Sequence, residues 1–262
     1  MAGPGISKRD LQIMMRVVND DTAGEGPGQG LPWSLLAAFK ELIPCDELSF
    51  RDLDAKDGRA TFSQAIPACS DGEADDRAFW ANYWDCLACC YPDRTGDLRS
   101  ITTISDFYTQ RQLHSLGMHA DMLGPAGIEH EMMLCLPGGP DRTLRLLFFR
   151  GPGSDFTERD RALLALLRPH LHVAYLRAEQ RRGLSALTRR QQEVLHLVAA
   201  GYGNAQIARR LVVSDATVRK HLENIYQRLD VTSRTTAIAR VFPGLGFLAH
   251  PERRAKSKAE RR

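Results

Sequence analysis

Arg219, Lys220, Glu223 and Gln227 are spaced so that a single helix would show them together. At roughly 100° of turn per residue they span an arc of about 100°, while Val218, Leu222, Ile225 and Leu229 close on a separate stripe of about 60°. One side of such a helix is core and the other can face a groove. Guanidinium and ammonium groups on that side can read guanine edges or hold phosphates. A second chemistry sits in Cys86-x-x-Cys89-Cys90. Three thiols this close could ligate a metal or cycle as a dithiol. A structural zinc needs four ligands, however, and no second C-x-x-C exists. Cys45, Cys69, Cys135 or His114 could complete a site only through the fold. Ordinary partly buried thiols are therefore the favoured reading. No general base and no cofactor motif accompanies the cysteines, so neither an enzyme nor a cofactor is expected.

Trp80, Tyr83, Trp84 and Tyr91 could line an apolar pocket with a few polar handles, although aromatics at helical spacing serve equally as core. His114, His119, His130, His170 and His172 read as dispersed, and His170 and His172, two apart, face different sides of a helix. The run Gly24–Gly30 has no following Lys-Ser/Thr and no G-x-G-x-x-G spacing, so it binds no phosphate. Asp20-Asp21 lacks the strands of a phosphoreceiver.

The elements that would position Arg219 and Lys220 are marked by caps. Thr188 and Gln191 form a Thr-x-x-Gln capping box ahead of Val194, Leu195 and Val198. Gly201 sits where a left-handed stop is needed. Asn204 is placed to cap a short helix carrying Ile207, Ala208 and Leu211. Ser214 is placed to cap the helix of Arg219, with Asp215 complementing its positive end. Ser233 is placed to cap a fourth helix with Ala237, Ile238 and Val241.

These residues resemble the LuxR/FixJ-type helix-turn-helix. The match runs through Leu187-Thr188-x-Arg190, Glu193-Val194-Leu195, Gly201-x-x-Asn204, Ile207-Ala208-x-x-Leu211, Val213-Ser214-x-x-Thr217-Val218-Arg219-x-His221, Asn224-Ile225-Tyr226, Leu229, Val231 and Ser233-Arg234-Thr235. It departs from the pattern at Gln191, where an acidic residue is common, and at Asp230, where Gly is common. The resemblance implies a four-helix DNA-binding domain in which Arg219, Lys220 and Glu223 face bases. Asn204, Ser214, Thr217, His221 and Arg228 would lie nearer the backbone. The fourth helix, with Ser233, Thr236, Ala237 and Arg240, would pair two copies.

Charge follows the same division. Residues 187–242 hold nine Lys/Arg against four Asp/Glu, and the tail from Pro251 holds six against two. The whole chain is only +3, so the remainder is acidic. A basic end beside an acidic body is expected when one part meets phosphates.

Upstream, helices are expected over 7–20, 33–43, 75–84 and about 106–123, the first with Leu11, Met14, Val17 and Val18 on one face. Strands are expected around Leu48–Phe50, Ala60–Phe62, 100–104, 128–136 and 143–150, with Asp57-Gly58 as a hairpin turn. Thr157 opens a long helix with Leu163, Leu164, Leu167, Leu171, Ala174 and Tyr175 in its apolar stripe and a kink expected at Pro169. The pattern is an α+β fold. The segment from Phe79 to Arg94, with Leu144–Phe149 and Asp155–Asp160, is similar to the amino-terminal region of actinobacterial LuxR-type regulators with a GAF-like or PAS-like domain. That resemblance implies a sensor of a small molecule, redox state or partner.

The 262 residues thus divide into a GAF/PAS-like α+β sensor over 1–156, a connecting helix over 157–183, an all-α helix-turn-helix domain over 184–246 and a basic tail over 247–262. The expected protein is a transcription regulator, dimeric on double-stranded DNA. A thiol-based redox protein using Cys86 and Cys89, or a protein-interaction adaptor, are the alternatives. No apolar run is long enough to span a bilayer, and Met1-Ala-Gly-Pro-Gly lacks a signal pattern. A cytoplasmic location with reduced cysteines is expected.

Overall fold

The computed structural model describes residues 5–19, 30–67, 76–139 and 142–242. Asp20-Asp21, most of the glycine-dense run, Cys69 and the basic tail fall outside the described residues. The chain divides into two compact units, meeting within one helix at residues 172 and 173.

The first unit is built on a five-stranded antiparallel sheet. Its strands are β1 (Glu47–Asp54), β2 (Arg59–Ile66), β3 (Ile101–Thr103), β4 (His130–Gly139) and β5 (Arg142–Arg150), in the order β2-β1-β5-β4-β3. The hairpin expected across Asp57-Gly58 joins β1 and β2, and Gly58 takes the positive φ that its turn requires. Side chains alternate between faces. The register pairs Ser49 with Leu147, Arg51 with Arg145 and Glu131 with Phe149, which puts these residues on one face together with Met133 and Cys135. Leu48, Phe50, Met132, Leu134, Leu146 and Phe148 take the other face. All of these except the half-buried Arg51 are buried, so the sheet is covered on both sides.

Helices α1 (Lys8–Asn19), α2 (Trp33–Leu42), α3 (Asp76–Tyr83), α4 (Leu87–Thr95) and α5 (Gln110–Leu113) accompany the sheet. Three expectations change. α1 buries Asp10, Ile13 and Val17, while Leu11 and Val18 are exposed. On this inner face Asp10 accepts from Arg159 Nη2 at 2.5 Å, which allows a carboxylate to be buried beside Ile13 and Val17. The helix expected over 106–123 is instead a 3-10 turn at 104–106, the one-turn α5 and a π-helical turn His119–Leu123. Thr103–Asp106 and Thr109–Gln112 close separate capping boxes, and such local side-chain bonds compete with one continuous helix. α4 was not foreseen, because Pro92 lies inside it. α6 (Glu158–Ser185) contains Pro169 within its helical span. Pro169 and Ala165 are both exposed, so the carbonyl that the proline leaves without its donor faces solvent.

The second unit holds α7 (Arg189–Ala199), α8 (Asn204–Leu211), α9 (Asp215–Leu229) and α10 (Arg234–Val241). α9 packs against the other three. Val194, Leu195, Val198, Ile207, Val218, Leu222, Ile225, Leu229, Ala237 and Val241 form one buried cluster. Thr188 and Gln191 close the expected capping box on α7, and Gly201 takes its left-handed stop at φ +87°.

Candidate nucleic-acid interface

A three-residue connection, Val212 to Ser214, joins α8 to α9. Val212 takes the left-handed conformation at φ 53° with its side chain almost wholly in solvent. A β-branched residue is strained there. The Ser214 hydroxyl then accepts from the Thr217 backbone N–H at 3.1 Å and starts α9. Its Oγ also lies 2.8 Å from Thr217 Oγ1. At the far end Asp230, at φ 51°, fills the left-handed cap where glycine is common.

Val218, Leu222, Ile225 and Leu229 anchor α9 in the cluster. Arg219, Lys220 and Glu223 stand on its outer arc with side chains 68%, 69% and 61% exposed. Arg219 Nη2 donates to Asp215 Oδ2 at 2.7 Å, and Lys220 Nζ lies 3.4 Å from Glu223 Oε2. Exposed pairs of this kind are worth little, so the cations can exchange these partners for a nucleic acid at small cost.

The other expected contact residues divide. Thr217 and Arg228 are exposed and His221 is half-buried. Arg228 donates to Gln191 Oε1 at 3.2 Å and so braces α9 against α7. Asn204 does not cap α8. Gly203 holds the cap position, its N–H donating to Gln206 Oε1 at 2.8 Å, because the Gln206 side chain reaches back one residue further than expected. Asn204 Oδ1 instead accepts from Arg234 Nη1 at 3.4 Å, and Arg234 Nη2 donates to the Tyr202 carbonyl at 2.5 Å. Arg234 thereby clamps the start of α8 to α10, a role that no periodicity signals. On α10, Ser233 caps as expected, accepting from Thr236 N–H at 3.1 Å. Thr236 and Arg240 are exposed, whereas Ala237 is buried in the unit's own core.

In the first unit, Arg145 is buried on β5 and gathers the helical layer. It donates to Thr143 Oγ1 at 3.1 Å, the Cys89 carbonyl at 2.6 Å, Asp93 Oδ2 at 2.5 Å and the Tyr83 hydroxyl. Tyr83 also donates to Asp93. Burial raises the Tyr83 phenol, so it stays a neutral donor. Trp80 packs beside Tyr83, with ring centroids 4.9 Å apart. Trp84 is 45% exposed, and the Tyr91 hydroxyl donates outward to Asp97 at 3.1 Å. Of the four aromatics, Trp80 and Tyr83 therefore face the interior. Three enclosed polar atoms of this unit, Ser49 Oγ and Arg51 Nε on the sheet and Trp80 Nε1 on α3, have no hydrogen-bond partner among the described residues. Glu131 lies on the same sheet face, and burial pushes its carboxyl up to about 7 against the pull of Arg145 and Arg51.

Cys86, Cys89 and Cys90 are buried free thiols. Cys86 holds the cap position of α4. A hydrogen bond from Cys89 lowers the Cys86 thiol, and the same bond, with burial, raises Cys89.

Residues 185–241 match the GerE model of bacterial regulatory proteins, luxR family. The second unit carries a luxR-family GerE helix-turn-helix domain. Over 66 residues the chain is 41% identical to the transcriptional regulatory protein DegU of Brevibacillus brevis, covering 25% of this chain and 28% of DegU. Over 54 residues it is 43% identical to the HTH-type transcriptional regulator MalT of Vibrio campbellii, covering 21% of this chain and 6% of MalT. The chain thus spans under a third of either relative, and both are transcriptional regulators rather than enzymes. Its fold is similar to that of SdiA in complex with octanoyl-rac-glycerol, with a TM-score of 0.50 and 15% identity over 96% of this chain and all of that one. Among the described residues no helix is long and apolar enough to cross a membrane.

Proposed function

We propose that this chain is a sequence-specific, DNA-binding transcription regulator that acts as a dimer in the cytoplasm. The arc of Arg219, Lys220 and Glu223 carries the reading. It is exposed along the helix that follows a three-residue turn, its reverse side is anchored in the core, and it lies inside the GerE match. α9 enters the major groove of each half-site, with Arg219 and Lys220 on base edges and Ser214, Thr217, Asn204 and His221 towards phosphates. Thr236 and Arg240 on α10 face the second copy. Selection of bound fragments from genomic DNA tests this reading. Enrichment of a motif with two related half-sites supports it, and retention of no fragment, or of random ones only, sinks it.

The first unit is the sensor, read from sequence as GAF-like or PAS-like. Its enclosed polar atoms at Ser49, Arg51 and Trp80 support a small molecule as the signal, because buried donors and acceptors are seldom left unpaired. SdiA, whose fold is similar, has been seen with octanoyl-rac-glycerol. A second reading of the signal rests on the Cys86–Cys89 hydrogen bond: a peroxide would oxidise the two thiols to one disulfide. Counting free thiols before and after peroxide decides between them, since a purely small-molecule sensor loses none of these two.

A further inference from the structure

The histidines that look dispersed in sequence do not stay so. His114 closes α5, with its backbone N–H on the Gln110 carbonyl at 3.0 Å. His119 opens the π-helical turn, and π-turns are frequent at functional sites. Glu129 is held just ahead of β4, its N–H on the Arg150 carbonyl at 2.9 Å. The two imidazoles face each other with centroids 4.3 Å apart and planes inclined by 34°. The Glu129 carboxylate spans both, with Oε2 2.7 Å from His114 Nε2 and Oε1 3.7 Å from His119 Nε2. Gly124 leaves room for this: a Cβ there would meet His119 Cε1 and the His119 carbonyl at 3.0 Å.

We propose that His114, His119 and Glu129 form a site for a divalent transition-metal ion. The ligand atoms lie within 4.8 Å of one another, so a small turn of the exposed His114 side chain brings all three around a single ion with bonds of about 2.0–2.2 Å. A single His–Glu hydrogen bond accounts for His114 alone. His119 Nε2 is enclosed and has no hydrogen-bond partner among the described residues, although it is aimed at the same carboxylate. A metal satisfies it. Two imidazoles and one carboxylate suit Zn²⁺ and its neighbours in the first transition row, whereas Ca²⁺ and Mg²⁺ take oxygen ligands. Three protein ligands leave a coordination position for water on the exposed His114 side. The ion would tie α5 and the π-turn, which pack with Tyr83, Cys86 and Cys89, to the start of β4. It belongs to the first unit and is independent of the DNA reading.

The test uses the full-length, tag-free chain, stripped with a chelator and titrated with Zn²⁺ and with Co²⁺. The expected result is one ion per chain and visible Co²⁺ ligand-field bands without a thiolate charge-transfer band. His114→Ala and Glu129→Gln each weaken Zn²⁺ binding by about ten-fold or more. Cys86→Ser with Cys89→Ser leaves it unchanged. His114 is half-exposed, so its substitution leaves the fold intact, and circular dichroism checks this. Absence of saturable binding overturns the site. So does full affinity in His114→Ala, or a thiolate band that vanishes with the cysteines.

Discussion

Arg219 and Arg145 show what one guanidinium does in two settings. On α9, Arg219 is solvated and, among the described residues, is held by Asp215. Its loss costs the fold little, so the effect of Arg219→Ala falls on DNA. Binding to a selected site should weaken by about 1–3 kcal/mol and one base preference should relax, while random DNA is bound nearly as before. Equal loss on both would remove the base-reading role. Arg145 is buried, and its partners Asp93 and Tyr83 are committed to it. Arg145→Met leaves a carboxylate enclosed without its cation. Denaturant unfolding of the first unit should show a loss of about 3–5 kcal/mol. Arg145→Met with Asp93→Leu should recover part of that loss; a double variant no better than the single one would show that the pair is not the cause.

At the scale of elements, the capped helices of the second unit form where their sequence says, because each cap acts over three residues. Ser214 reaches Thr217, Thr188 reaches Gln191 and Ser233 reaches Thr236. Ser214→Ala should cost about 0.5–2 kcal/mol in thermal or denaturant unfolding, since the N–H of Thr217 loses its acceptor. The turn before it is strained in the opposite sense. Val212→Gly should raise stability by about 1 kcal/mol, because glycine accepts the left-handed conformation that valine resists. No gain would mean that the positive φ is not kept in solution. Two expectations failed where a remote partner outweighed local pattern. On α1 the buried Asp10 is paired with Arg159, 149 residues away, and Asn204 is taken up by Arg234 across α8 and α10. The helix expected over 106–123 is broken up because the turn capped by Thr103 runs into its start and the Thr109–Gln112 box opens a new turn inside it.

At the scale of the whole molecule, the basic second unit and acidic first unit predict how DNA binding responds to salt. Neutralised phosphates release counterions, so the logarithm of affinity should fall linearly with the logarithm of salt concentration. Lys220→Ala should reduce that slope by about one if Lys220 meets a phosphate, and leave it nearly unchanged if Lys220 meets a base. A titration from low to moderate salt separates these outcomes.

The amino-acid order by itself determined the α9 arc, its apolar underside and the turn ahead of it. Those features depend on neighbours three or four residues apart, and a helix expresses them wherever it forms. It also placed the five strands, through alternation and turn residues. Tertiary structure decided what the first unit's polar residues do. Arg145 reaches Tyr83 across 62 positions, and His114 meets Glu129 only because α5 is folded back onto the start of β4. Such contacts depend on sheet register and helix rotation, and these are settled by burial summed over the whole unit rather than by any local run of residues.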